Sequence, residues 1–232
     1  GGFIPWDNDI DIIMPRPDYE KLLHMLRNRP ICDHLYLLHY ATDAKYHYQC
    51  ARICDNRTET DISYIREQPK SMGVWVDIFP IDGIPDDPVA QVLTKARLGI
   101  LKILQRSDIY AIEGVRGWKY VAKRMLRKVF PNKNNAYQRK LDTIASKTAF
   151  GKSDYAGNVT EYDSTYCKYV PADFDSPLLL FFEDQKFYAP KRYCEILTSE
   201  YGDYMKLPPI EQRMTHDLNA FWASPRSDSA VE

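Results

Sequence analysis

Residues 9 to 14 read Asp9-Ile10-Asp11-Ile12-Ile13-Met14, and this alternation of charged and apolar side chains decides the fold class. A period of two belongs to a strand with one face buried, so the acids share the opposite face. If the strand extends back to Asp7, three carboxylates project from that face at alternate positions. Downstream, Pro15-Arg16-Pro17 breaks the strand. Tyr19, Leu22, Leu23 and Leu26 then recur at helical spacing until Pro30 stops the helix.

Further outward, residues 35–40 and 46–53 read as strands across a short polar loop, and 61–65 as a weaker one. Residues 73–78 form a β-branched and aromatic run typical of a central strand, which Pro80 is expected to end. From Pro88 the pattern turns helical, with Val89, Val92, Leu93 and Ala96 continuing through Ile100 to Leu104. A basic amphipathic helix follows over 118–130. Its Lys119, Lys123, Arg124, Arg127 and Lys128 suit either the solvated face of a packed helix or an anionic membrane surface. A third helix is expected over 136–147, and 157–161 returns to the sheet. Strands 178–183 and 186–189 flank Asp184-Gln185 as a hairpin, and Pro190 opens a helix that Gly202 closes. The expected architecture is α+β with a mixed sheet. Residues 1–87 form the core, 88–150 a helical insertion, 151–223 the rest of the same domain, and 224–232 a polar tail.

Composition narrows the class. A chain of 232 residues with 44% apolar content can bury a real core as one domain. Lys and Arg number 31 against 32 Asp and Glu, so no global positive field recommends nucleic acid, and any polyanion site must be local. Five cysteines without a Cys-x-x-Cys pair fit a reducing cytosol rather than a disulfide framework or a zinc ribbon. No apolar run is long enough to span a bilayer and no signal peptide is visible. The sequence opens on Gly1-Gly2 without Met, which points to missing upstream sequence.

Clustered carboxylates repel one another, and a hard divalent cation with oxygen ligands is the economical way to neutralise Asp7, Asp9 and Asp11. Mg²⁺ or Mn²⁺ fits where phosphate oxygens complete the shell. Asp77 lies in the apolar stretch Trp75-Val76-Asp77-Ile78-Phe79. An unpaired carboxylate there is expensive, so Asp77 either has a basic or polar partner or joins the acidic site. His216 reads as an acid or base or as a structural histidine, and Cys50 and Cys54 as small buried hydrophobes.

The segment from Gly1 to Ile12, containing Pro5-Trp6-Asp7-Asn8-Asp9-Ile10-Asp11, resembles the signature of the LicD family, which includes bacterial phosphocholine transferases and relatives of the fukutin proteins. Met14-Pro15-Arg16 with Asp18-Tyr19-Glu20, then Val76-Asp77-Ile78-Phe79-Pro80-Ile81-Asp82, and finally Tyr201-Gly202-Asp203-Tyr204-Met205-Lys206-Leu207-Pro208 look like further LicD blocks in the same order. The resemblance implies a nucleotidyltransferase-like fold with Asp9 and Asp11 as the metal-binding pair and Asp77 as the third acid. Two departures stand out. Asn8 replaces an Asp of many relatives, and the Gly-rich segment that precedes the signature in the family is absent.

The resemblance also implies an enzyme moving phosphocholine, or a similar phosphoalcohol, from a CDP-linked donor to a hydroxyl of a cell-surface glycan precursor such as teichoic acid or lipopolysaccharide. It places that reaction in the cytoplasm, at the inner face of the membrane. In this scheme Asp9, Asp11 and Asp77 hold the metal, and Asp77 or Asp7 takes the acceptor proton. Arg52 binds phosphate, or else pairs with Asp55 or Glu59. Trp6 and Trp75 offer π-faces to a quaternary ammonium, or else belong to the core. The alternatives are a CDP-polyol donor, nucleotidyl transfer, and a catalytically silent glycan- or nucleotide-binding module.

Overall fold

β1 (Asp11–Pro15) runs directly into α1 (Arg16–Leu26) without a loop. Pro17 falls in the first helical turn, where the N–H it lacks would have no partner in any case. The computed structural model describes residues 2–27, 29–61, 69, 72–109, 116–160, 168–213, 215 and 218–223. α1 lies on one face of the sheet and buries Tyr19 against Ala51 and Ile78, with Met14, Leu22, Leu23, Leu37 and Ile53 around them.

The main sheet also contains β2 (Leu35–Leu38), β3 (Ala51–Asp55) and β5 (Trp75–Gly83), with β4 (Thr58–Asp61) outside it. Its order is β1-β5-β3-β2, with β1 and β5 parallel and the other pairs antiparallel, so the expected mixed sheet is present. β6 (Ala156–Gly157) pairs with the far end of β5 at Asp82 and Gly83.

Three of the boundaries that differ from the sequence reading bear on the site, and residues 62–65 of the expected 61–65 strand lie outside the described residues. β1 starts at Asp11, because the chain before it is drawn aside: the Phe3 amide donates to Glu183 at 3.0 Å and its ring meets Phe182 edge-on. The strand alternation therefore does not extend to Asp7 and Asp9. β3 starts at Ala51 rather than residue 46, because Tyr46 turns inward and its hydroxyl donates to the Cys50 carbonyl at 3.0 Å. Pro80 lies inside β5 instead of ending it. The Asp77 amide points to β1, where it donates to the Ile10 carbonyl at 2.9 Å. By alternation, position 80 faces the other edge, beyond the last β3 pairing at Ala51 and Ile78, so no ladder bond is lost there.

Two small sheets complete the strands among the described residues. β7 (Leu178–Phe182) and β8 (Gln185–Ala189) make the expected hairpin around Glu183 and Asp184. β4 pairs with β9 (Asn219–Trp222), which lacks any alternation of burial and was not read from the sequence. The helices are α2 (Pro88–Ile109), α3 (Trp118–Val129), α4 (Ala136–Ala145) and α5 (Tyr193–Tyr201), the last closed by Gly202 in the left-handed region at φ 68°. Leu98 of α2 and Leu141 and Ala145 of α4 share a core with Ile84 and Val159. Buried amides tie this helical segment to the loop before β3. Asn135 donates to the carbonyls of Tyr40, Asp43 and Tyr46, and Gln105 and Gln138 both donate to that of His47.

Candidate active site

Asp11 and Asp77 are register partners on the parallel pair β1 and β5, so their side chains leave the same face of the sheet. That face is opposite to the one covered by α1. Arg52 is the β3 partner of Asp77 and joins them there.

Asp77 is buried and fully engaged. Its Oδ1 accepts from Arg52 Nε at 2.7 Å and from Cys50 Sγ at 3.1 Å. Its Oδ2 accepts from Arg52 Nη2 at 3.2 Å and from Trp75 Nε1 at 2.9 Å. The Arg52 guanidinium is buried between the rings of Tyr48 and Trp75, with centroids at 4.0 and 4.1 Å. Such a charge-assisted, bidentate pair inside an aromatic sleeve is the partnered alternative read for Asp77 from sequence. Arg52 does not pair with Asp55 or Glu59; Asp55 is taken by Arg57. Cys50, read as a simple hydrophobe, is the third donor to Asp77, and burial pushes its thiol up.

Asp11 carries the electrostatic stress of the site. Burial first, then the charges of Asp77, Asp9 and Asp7, push its carboxyl up to about 6, while Arg52 pulls it down. Burial, then the charges of Glu200, Asp7, Asp11 and Asp9, also push up the Tyr201 phenol. The C-terminal end of α5 therefore lies within electrostatic range of the acidic segment. Tyr201 was visible in the sequence only as part of a family-like block, because nothing local marks it. Trp6 has the Arg213 guanidinium over its ring at 4.7 Å, so this π-face already accepts a cation. His216 lies outside the described residues.

Among the described residues no group of three His, Cys, Asp or Glu side chains encloses a common metal position. Asp77 gives its oxygens to Arg52, Cys50 and Trp75, so the pair the resemblance assigns to a cation is Asp9 and Asp11, with Asp7 beside them. That set fits Mg²⁺, which is commonly held by one or two carboxylates with water and substrate phosphate supplying the rest. The raised carboxyl of Asp11 fits too, since a divalent cation would relieve the crowding that raises it.

The geometry can be set beside known proteins. Residues 1–91 match the family model described as LicD/FKTN/FKRP, nucleotidyltransferase domain. Along 226 residues the chain is 30% identical to the lipopolysaccharide cholinephosphotransferase LicD of Haemophilus influenzae, covering 94% of this chain and 81% of that protein. No solved structure matches. The family model spans the acidic segment and β5 together.

Proposed function

This chain belongs to the LicD family and is a transferase, and from that premise we propose that it moves phosphocholine from CDP-choline to a hydroxyl of a lipopolysaccharide-type glycan. The observation that carries this reading is the likeness to a lipopolysaccharide cholinephosphotransferase along nearly the whole chain. The acidic face of the β1–β5 pair supplies the chemistry.

Asp9 and Asp11 hold Mg²⁺ or Mn²⁺. When bound, the cation neutralises the donor diphosphate and steadies the leaving CMP. Asp7, at the turn before Asp9, accepts the proton of the acceptor hydroxyl. The hydroxyl oxygen bonds to the distal phosphorus, the bond from that phosphorus to the bridging oxygen breaks, and CMP departs with the electron pair. Asp77 adds negative charge beside Asp11 and fixes Arg52, so it tunes and positions the site rather than binding substrate. Trp6 presents its face to the trimethylammonium head group in place of the Arg213 guanidinium.

Calorimetry of CDP-choline binding with and without Mg²⁺, on this chain and on Asp9→Ala/Asp11→Ala, tests the reading. Metal-dependent binding that disappears in the double variant is expected, together with release of CMP when acceptor is present. Equal binding in the double variant removes the metal role of the pair. Pyrophosphate release from CTP, in place of CMP release from CDP-choline, would move the chain to nucleotidyl transfer.

A further inference from the structure

α2 and α3 expose apolar residues along their full length. On α2, Val89, Val92, Leu93, Ile100 and Ile103 recur at three- and four-residue spacing and are exposed, Ile100 and Ile103 at 62%. On α3, Trp118, Val121, Met125 and Val129 form a second stripe, with Trp118 76% exposed. The stripes meet where Ile103 and Trp118 line the groove between the helices. Arg127 pins α3 in place by donating to the Ser107 and Asp108 carbonyls at 2.6 and 3.2 Å. The orientation of the α3 stripe is therefore set by the fold. Adjacent exposed apolar stripes of this kind mark an interaction site.

Charge decides the partner. From 88 to 130 the sequence has ten Lys and Arg against two acids, in a chain whose formal net charge is −1. Arg124 and Lys128 border the α3 stripe on its outer side. A second copy of the chain would bring two strongly basic faces together, which opposes self-association through them. No helix among the described residues is long and apolar enough to cross a membrane. We propose that the α2–α3 face rests on an anionic bilayer, with its apolar stripes in the interface and its basic rim at the headgroups. The proposal does not depend on which group is transferred.

Flotation with phosphatidylcholine vesicles, with and without phosphatidylglycerol, tests the proposal using lipid alone. Wild-type chain should float with the anionic vesicles at low salt and not with neutral ones. Val121→Asp/Met125→Asp should stop flotation, and Arg124→Glu/Lys128→Glu should weaken it roughly 30-fold, both with an unchanged melting temperature. Failure of the wild type to bind anionic vesicles overturns the proposal, as does binding that neither variant changes. A dimer that forms without lipid and is dispersed by Val121→Asp/Met125→Asp would give the face to a second copy and overturn it equally.

Discussion

Two arginines, Arg16 and Arg52, each clamp a buried aspartate of β5, and they do so on opposite faces of that strand. Arg16 holds Asp82 with Nε and Nη2 at 2.7 and 2.6 Å, and its Nη1 also reaches Asp142 at 2.9 Å and Glu20 at 3.3 Å. Three acids from β5, α4 and α1 thus surround one cation, and the cluster staples three elements together. Arg52 instead meets one acid and a set of aromatic rings. The surplus negative charge on its side belongs to Asp11 and the segment before it, where the proposed cation would sit. The same bidentate pair is a fastener on one face and the floor of an acidic site on the other. What differs is whether the neighbouring carboxylates are spent inside the protein.

The largest effect should come from breaking the fastener. Arg16→Ala strands a buried carboxylate at Asp82 and should cost about 3–5 kcal/mol in urea unfolding. A loss of less than about 1 kcal/mol would show that Asp82 takes up a proton cheaply, consistent with the upward push that burial gives its carboxyl. On the other face, Asp11→Asn should lower transfer by roughly 10²–10³-fold without destabilising the fold, because it removes a crowded charge. The Asp11 carboxyl sits at about 6, so between pH 4 and 6 the folded protein retains a proton that the unfolded chain has released. Stability through this group falls as pH rises across that window, and the Asn variant should show a flatter profile there.

His39 probes the fastened side in the opposite sense. Burial, aided by Arg16, Arg139 and Arg27 against Asp142, lowers its pKa to about 4. The unfolded chain protonates near 6.5 and the folded one does not, so its contribution is fully present above 6.5 and is lost as pH falls toward 4. His39→Asn should recover about 2 kcal/mol of pH-dependent loss at pH 5 relative to pH 7.5. An unchanged profile would mean that the imidazole is hydrated when the protein is folded. The smallest effect is at Trp75→Phe, which keeps the ring over Arg52 but removes the Nε1 hydrogen bond to Asp77. We expect a loss of about 1 kcal/mol in thermal unfolding and little change in transfer. A large loss of transfer would assign Trp75 to the substrate rather than to Arg52.

The sequence alone determined the local elements. Alternation before Pro15, the helical spacing from Tyr19 to Leu26, the hairpin at Asp184 and the basic stripe of α3 are properties of neighbours in the chain, read by periods of two and 3.6. The order of the acids and the family were legible for the same reason, since a short motif carries them. Tertiary structure alone decided which acid Arg52 engages. Arg52 could have met Asp55, Glu59 or a substrate phosphate, and only the antiparallel register of β3 with β5 puts it against Asp77. Pro80 could pass through β5 only because β3 has ended beside it, and β9 became a strand only by finding β4 across most of the chain. Tyr201 came within electrostatic range of the acids in the same way, through the tertiary fold. Long-range pairing selects among contacts that local patterns leave equivalent, and burial then fixes the charge of each group it encloses.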